Sequence, residues 1–182
     1  MGTDKAFLLY KGRPFVAVIA DEMLKITGDV LVVIGNKEES VFRKVLGDRI
    51  RIIADSYYLT NPMGGMLSTF RRVSNEYVAF VPCDVPLMKS EVIAFLHEAA
   101  MGHSAAVPRW ENGHIEPLCA VYKARQSEEA GLRVLDRGTL SCAHLVAELR
   151  DVNFVPVEEL RRFEPSLGFL RNVNRREDLL AL

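Results

Sequence analysis

The sequence predicts an α/β fold with a mainly parallel sheet. Short runs rich in β-branched residues alternate with longer stretches in which apolar residues recur near helical spacing, as in layered α/β folds. The run VLVVIG at residues 30–35 is almost entirely apolar, as expected of a parallel strand covered on both faces. The 182 residues suffice for one domain with its own core.

Predicted strands and helices alternate along the chain. Gly47 ends one helix, and Ser90 and Gly102 bound another as cap and stop. In such sheets the ligand crevice lies beyond the carboxyl ends of the strands, so the residues that follow each strand are candidates for the site. Strands are predicted at residues 30–35, 50–54, 77–81, 104–108, 115–122 and, as an edge strand, 152–157, and helices at residues 15–26, 40–46, 66–73, 90–101, 127–136 and 143–149.

The composition excludes several classes of protein. Lys and Arg total 23 against 24 Asp and Glu, so the net charge gives no general reason to bind nucleic acid or an anionic membrane. Hydrophobic residues at 49% and charged residues at 26% exclude disorder and a coiled coil. The cysteines and histidines lack metal-ligand spacing. No apolar run approaches the ~20 residues of a membrane span and no signal peptide is recognisable, so we expect a cytoplasmic protein.

Polar residues follow three of the predicted strands. Asn36, Asp55 and Asp84 come after the runs that end near residues 35, 54 and 81. A carboxylate at this edge suits Mg²⁺, which binds through one or two carboxylates and substrate phosphates. From spacing alone, a turn residue is the favoured interpretation of Asp84 and a metal ligand is the alternative, because Asp-x-Pro is common in turns. Asp55 has the same pair of interpretations, a cap or turn residue or a ligand contact.

A turn-rich segment, NPMGG at residues 61–65, precedes a predicted helix. Its paired glycines let a ligand approach the backbone closely, and a helix N-terminus favours anions. A tight loop without a ligand explains the segment equally well. Lys5, taken alone, indicates only a solvated charge.

Short motifs follow one another in order from the first residue almost to the last. MGTDKA at residues 1–6 matches R-M-G-x-D-K-A, and PCDVPL at residues 82–87 matches C-D-M-P. Further matches are KGRP at 11–14, Asn36, Asp55 with NPMGG at 61–65, EPL at 116–118, and NVN at 172–174 with EDL at 177–179. In this order they resemble the molybdenum-cofactor guanylyltransferases, a MobA-like family within the wider group of sugar-nucleotide-like nucleotidyltransferases.

The resemblance implies a three-layer Rossmann-like nucleotidyltransferase fold and the transfer of GMP from GTP to molybdopterin. Lys5 and Asp84 are the implied catalytic residues: Lys5 contacts the GTP phosphates and Asp84 holds Mg²⁺, which together neutralise charge around the α-phosphate. Asn36 and Asp55 would lie against the base or ribose, because the N–H donors of guanine need acceptors. The other implied binding residues are Pro62, Gly64 and Gly65 at the base pocket and Asn172 and Asn174 on the pterin side.

One segment departs from the family pattern. The family has a strand and a Gly-rich loop, L-x-G-G-x-S-x-R, ahead of the motif with which this sequence starts. That loop would hold the triphosphate through backbone N–H groups, and the strand would be central in the sheet. We therefore expect a single domain over residues 1–182 that is short at its N-terminus. Met1 is then an internal methionine of a longer protein, the chain is shortened, or the protein is a true variant.

The resemblance leaves two other functions open. One is a nucleotidyltransferase of the same fold with another NTP or acceptor, and the other is a non-catalytic nucleotide-binding protein without the Gly-rich loop. The expected partners are GTP and the molybdenum cofactor, with a second copy of the chain or proteins of molybdoenzyme maturation as further candidates. Trp110, on a polar loop, is interpreted as a half-buried packing residue, and contact with the second substrate is the alternative.

Overall fold

The computed structural model describes residues 4–57, 61–173 and 178. It begins with a 3₁₀ helix at Lys5–Phe7, β1 (Leu9–Tyr10), β2 (Arg13–Pro14), α1 (Phe15–Met23), β3 (Leu31–Val33), α2 (Glu39–Leu46) and β4 (Arg51–Ile53). It continues with α3 (Pro62–Phe70), β5 (Tyr77–Phe80), α4 (Ser90–Ala100), β6 (Ala105–Arg109) and β7 (Ala120–Lys123). It ends with α5 (Ala124–Asp136), α6 (Cys142–Glu148), β8 (Val152–Pro156), α7 (Val157–Leu160) and a 3₁₀ helix at Gly168–Leu170. In these ranges no helix has the length and apolar character needed to cross a bilayer.

The strands pair in both directions, so the expectation of a mainly parallel sheet is corrected to a mixed arrangement. β3 pairs with β4 and β6 with β8 in parallel, whereas β1–β2, β5–β7 and β6–β7 are antiparallel. The largest sheet has the order β5-β7-β6-β8, which confirms β8 as an edge strand. β7 returns antiparallel to β6 because residues 110–119 connect them, and a parallel crossover needs a dozen or more residues.

The predicted strand at residues 115–122 is mostly a loop. β7 begins only at Ala120, and Ile115 makes an isolated antiparallel bridge with Arg109. Gly113, at a φ of +87°, reverses the chain ahead of this bridge. Pro117 has no N–H to donate, so it interrupts the ladder that the apolar residues suggested.

Two helices begin differently from the prediction. α3 begins at Pro62 rather than at residue 66, because the Asn61 side chain accepts the N–H of Met63 at 2.9 Å and proline suits a first turn. The glycine pair therefore lies inside the first turn of α3 and not in a loop ahead of it. Ser90 begins α4 without capping it, since its hydroxyl and its N–H donate to the Glu22 carboxylate at 2.9 and 3.0 Å.

Helices cover both faces of the four-stranded sheet. On one face Leu96 of α4 packs in a buried cluster with Val121 of β7. On the other face Leu67 of α3 and Leu145 of α6 pack with Tyr122 of the same strand. Neighbouring strand residues point to opposite faces, so consecutive residues of β7 serve the two cores.

β3 and β4 form a second sheet with its own cover. Val16 of α1 and Phe42 of α2 pack in the cluster beside it. Within the described ranges β3 pairs only with β4 and β5 only with β7, and Val30 packs against the clusters of both sheets. β5 and β6 both run antiparallel to β7, and β8 runs parallel to β6. The carboxyl ends of β5, β6 and β8 therefore lie along the same edge of the sheet. The loop after β5 holds Asp84, and the loops after β3 and β4 hold Asn36 and Asp55.

Candidate active site

An ion pair joins the two residues implied as catalytic. Lys5 Nζ lies 3.1 Å from Asp84 Oδ2, and the two residues are 79 positions apart. The Asp84 side chain is 15% exposed and the Lys5 side chain 44% exposed, so solvent and substrates can reach the pair. The backbone carbonyl of Asp84 accepts the N–H of Val173 at 2.8 Å, which fixes the loop after β5. The Asp84 side chain therefore bonds to a distant lysine rather than closing its own turn.

A second ion pair lies next to the first. Asp4 Oδ1 accepts the N–H of Ala6 at 3.2 Å and begins the 3₁₀ helix that carries Lys5. Asp4 Oδ2 lies 2.6 Å from Lys37 Nζ, and Lys37 follows β3. The two pairs thus connect the segments that follow β3 and β5. The sequence reasoning missed Lys37, although it is adjacent to Asn36 in a segment that was singled out.

The Cys83 thiol lies within electrostatic reach of both ion pairs. Partial desolvation raises the pKa of this thiol, the negative charges of Asp84 and Asp4 raise it further, and Lys37 opposes them. We refer to Asp4, Lys5, Lys37 and Asp84 as the four-charge cluster. Its formal charge is zero, because its two lysines balance its two carboxylates.

The four-charge cluster fits one common way of binding Mg²⁺. Among the residues that the structure describes, no group of three or more His, Cys, Asp or Glu side chains could enclose a metal. Mg²⁺ at phosphate-transfer sites is held by one or two carboxylates together with substrate phosphates. Asp84, partly exposed at the edge of the sheet, is suited to that arrangement.

Asp55 is buried and organises the loop after β4. It is 5% exposed, and its Oδ1 accepts the N–H of Tyr57 and the hydroxyl of Ser68, both at 2.8 Å. Ser68 Oγ in turn accepts the N–H of Ser56 at 2.8 Å. These bonds confirm the interpretation of Asp55 as a turn residue. A contact between Asp55 and a nucleotide stays a prediction.

The first turn of α3 lies against β3. A Cβ atom at Gly65 would lie 3.5 Å from Val33 Cγ1, an ordinary van der Waals contact. Gly64 is buried and Pro62 is exposed. The first N–H groups of this turn bond to Asn61: the N–H of Met63 donates to its side chain at 2.9 Å and the N–H of Gly64 to its carbonyl at 3.3 Å. The turn therefore offers a ligand close approach to its backbone more than free donors. The role of Pro62, Gly64 and Gly65 in a base pocket stays a prediction.

The implied asparagines have different positions. Asn36 is exposed in the turn after β3, next to Lys37 of the four-charge cluster. Asn172 is also exposed, and it precedes Val173, whose N–H bonds to Asp84. Asn174 lies outside the described residues. The structure therefore brings Asn36 and Asn172 to segments that contact the cluster, through Lys37 and Val173.

Comparison with known proteins gives the family of this chain. The pattern of the MobA-like NTP transferase domain matches residues 1–156. The chain is 32% identical over 183 residues to a probable molybdenum cofactor guanylyltransferase of Methanothermobacter thermautotrophicus, with 98% of this chain and 90% of that protein covered. It is 29% identical to a protein of the same name from Methanosarcina mazei, with 97% of this chain and 80% of that protein covered.

Solved structures share the fold. Molybdopterin-guanine dinucleotide biosynthesis protein A of Archaeoglobus fulgidus aligns with a TM-score of 0.79 at 21% identity, over 99% of this chain and 89% of that one. The 2-C-methyl-D-erythritol 4-phosphate cytidylyltransferase of Thermus thermophilus aligns with a TM-score of 0.71 at 18% identity, over 97% of this chain and 91% of that one. At these identities the likeness is one of fold, and it makes the chain an α/β protein of nucleotidyltransferase-like fold.

Proposed function

This chain belongs to the MobA-like NTP transferase family, and on that premise we propose that it is a molybdenum cofactor guanylyltransferase, which transfers GMP from GTP to the phosphate of molybdopterin. A phosphate oxygen of the acceptor forms a bond to the α-phosphorus of GTP. The bond from that phosphorus to the oxygen bridging to the β-phosphate breaks, and its electron pair leaves with pyrophosphate. The names of relatives at 29% and 32% identity support this choice of nucleotide and acceptor.

The Lys5–Asp84 pair is the observation that carries the proposal. Nucleotidyl transfer builds negative charge on the departing pyrophosphate, and a lysine already held at the site can neutralise it. Lys5 is placed 3.1 Å from the Asp84 carboxylate by the 3₁₀ helix that Asp4 caps. In our proposal a phosphate of GTP replaces Asp84 as the partner of Lys5, so the binding of substrate frees the carboxylate for the metal.

Asp84 is the residue that would hold Mg²⁺. The bound ion would polarise phosphate oxygens and offset the charge that develops during transfer. The backbone hydrogen bond from Val173 to Asp84 keeps the carboxylate at the end of β5. Because this bond uses the carbonyl of Asp84, it leaves the side chain available for the metal.

The nucleotide and the acceptor are assigned to opposite sides of Asp84. We place the base and ribose of GTP beside β3, β4 and α3, where Asn36, Asp55 and the residues Pro62, Gly64 and Gly65 follow strand ends or begin a helix. Asn172 and Asn174 are assigned to the acceptor side. The bond between Val173 and Asp84 supports this division, since it fixes the segment of Asn172 against the loop of the proposed metal ligand.

Thermal unfolding with Mg²⁺ and GTP, CTP, ATP or UTP tests the nucleotide. A ligand at 100 times its Kd adds about 2.7 kcal/mol, which raises Tm by roughly 5–10 °C in a domain of this size. A rise with GTP alone supports the proposal, and a rise with another nucleotide moves the function to a different nucleotidyltransferase. Pyrophosphate release from GTP that depends on added molybdopterin is the matching activity measurement. Absence of both responses contradicts a catalytic role for the chain.

A further inference from the structure

A cavity of about 370 Å³ lies at the same edge of the sheet as Asp84, beyond β6. Its walls are formed by a tryptophan, two arginines, a serine and two leucines. The lining residues are Trp110, Arg161, Ser166, Leu167, Leu170 and Arg171. All six residues lie outside the family motifs at residues 1–6, 61–65 and 82–87.

The sheet order gives the distance between this cavity and Asp84. Trp110 follows the end of β6, which is two positions from β5 in the order β5-β7-β6-β8. Neighbouring strands are about 4.8 Å apart, so the two loops are separated by roughly 10 Å. The segment that lines the cavity continues to Val173, which bonds to the Asp84 carbonyl. A molecule that extends from Asp84 along the edge can therefore reach the cavity.

The walls of the cavity are fixed by contacts within the chain. Trp110 is half-buried, as predicted, and its Nε1 donates to Glu116 Oε1 at 2.8 Å. Leu167 is 3% exposed and adopts a φ of +53°, a left-handed conformation that leucine rarely takes. A Cβ at Gly168 would lie 3.1 Å from Leu87 Cδ1, so this segment packs closely on the loop after Asp84. Because the segment at Leu167 and Gly168 is tightly packed, this wall of the cavity has its shape before any ligand binds.

The two arginines of the cavity differ in their partners. Arg161 Nη2 and Nε donate to the Glu158 carboxylate, and Arg161 Nη1 donates to the Pro165 carbonyl, which together compensate its charge and hold its position. Arg171 is exposed, and in the described part of the chain its guanidinium has no ion-pair partner. Of the two arginines, Arg171 is therefore the one whose charge the described contacts leave available to a ligand.

The geometry points to this cavity as the subsite for the ring system of the acceptor, an inference that rests on the proposed function. An indole surface binds planar heterocycles, and a guanidinium donates to ring carbonyls and anionic substituents in its plane. A pterin with a phosphate side chain has both features. Its rings occupy the cavity against Trp110 and Arg171, while its phosphate extends to Asp84, where GTP is attacked.

Fluorescence of Trp110 tests this inference directly, because the chain contains a single tryptophan. The probe is the phosphate ester of 6-hydroxymethylpterin, added to the full chain without GTP. We expect saturable quenching of the tryptophan emission, and in Arg171→Gln a Kd about tenfold higher, as expected for loss of a charge-assisted hydrogen bond. Arg171 is exposed, so its substitution leaves the fold intact.

Arg125→Gln is the matched control. The Arg125 side chain is 92% exposed at the start of α5. Because α5 follows β7, which runs antiparallel to β6, Arg125 lies at the edge of the sheet opposite the cavity. Its substitution removes the same charge as Arg171→Gln. The pterin phosphate should quench the tryptophan emission of Arg125→Gln with the same Kd as that of the unmodified protein. An equal loss of affinity in Arg125→Gln and Arg171→Gln would overturn the inference, because it would show a general effect of charge.

A parallel measurement of GTP binding separates this inference from the proposed function. Binding and turnover of GTP without any quenching of Trp110 by the pterin would overturn the cavity assignment and leave the function standing. Quenching that depends on Arg171 in a chain that binds no GTP would support the cavity and contradict the function. In turnover, Arg171→Gln should raise KM for the acceptor while KM for GTP stays unchanged.

Discussion

Lys5 Nζ lies 3.1 Å from Asp84 Oδ2, across 79 positions of sequence. In our proposal Lys5 neutralises phosphate charge and Asp84 holds a metal ion, and in the structure the two side chains form an ion pair. The second pair, Asp4 with Lys37, holds the helix that carries Lys5. Substitutions that remove one charge at a time can therefore separate binding, catalysis and folding.

Asp84→Asn should reduce turnover by about 100-fold or more, since a metal ion contributes several kcal/mol of charge stabilisation to such reactions. The free energy of unfolding should change by no more than about 1 kcal/mol, because the pair is partly exposed and the bond to Val173 uses the backbone. Steady-state pyrophosphate release and thermal unfolding measure the two effects. Asp48→Asn, at an exposed turn, is the control, and wild-type turnover in Asp84→Asn would refute the metal assignment.

Lys5→Met should weaken the binding of GTP about 10- to 100-fold, the loss expected for a hydrogen bond to a charged phosphate. Binding is measured by calorimetry at constant ionic strength. Lys44→Met removes the same charge from an exposed position on α2 and should bind GTP normally. Equal GTP affinity in Lys5→Met and the unmodified chain would exclude the phosphate contact.

Lys37→Met should weaken the binding of GTP by less than Lys5→Met, about 3- to 10-fold. Lys37 is paired with Asp4 rather than with the proposed metal ligand, so it adds positive charge near the phosphates without facing Asp84 directly. The effect should shrink as salt rises, because a half-exposed charge is screened. An affinity that is unchanged at low salt would limit Lys37 to supporting the helix of Lys5.

Alkylation of Cys83 reports the charges of the cluster. Desolvation and the negative charges of Asp84 and Asp4 raise the pKa of this thiol above its ordinary value, so the thiol is mostly protonated near neutral pH and its reaction with iodoacetamide should accelerate as the pH rises. Lys37 lowers this pKa, so Lys37→Met should slow alkylation, whereas Asp84 raises it, so Asp84→Asn should speed alkylation. Mass spectrometry of each cysteine peptide gives the rates. Cys119, buried with a pKa of about 12, is the unreactive reference.

Ser68→Ala should destabilise the fold by about 1–3 kcal/mol, because it leaves the buried Asp55 short of a donor and the N–H of Ser56 without an acceptor. Ser127→Ala is the matched control: Ser127 is also fully buried on a helix, but in the described part of the chain its hydroxyl has no hydrogen-bond partner. Urea unfolding should separate the two variants clearly. Equal stabilities would show that the network around Asp55 contributes nothing.

Much of the secondary structure could be predicted because its signals are local. The strands near residues 77–81, 104–108 and 152–157 and the helices near 90–101 and 127–136 all exist within a few residues of their predicted bounds. One error lies where a tertiary contact overrides local pattern. Ser90, a good cap by type, bonds to Glu22 of another helix. The error at residues 115–122 has a local cause, because Pro117 cannot donate to a strand ladder and β7 begins only at Ala120.

The site could be predicted only in part. The order of motifs pointed to Lys5 and Asp84, and the structure brings them together. The turn bonds of Asp55 and the pair of Lys37 with Asp4 depend on which loops meet, so no local spacing announces them. The antiparallel direction of β7 was not predicted either. It follows from the short connection at residues 110–119, part of which has the apolar pattern of a strand.

The sequence by itself determined the alternation of strands and helices and the order of the family motifs, because both are written in residue type and short spacing. The tertiary structure alone decided that the sheet is mixed, that two lysines and two carboxylates form one cluster, and that Trp110 and Arg171 share a cavity. The physical reason is that these relationships join residues tens of positions apart. Their distances are set by the packing of helices on both faces of the sheet, which is a property of the whole chain.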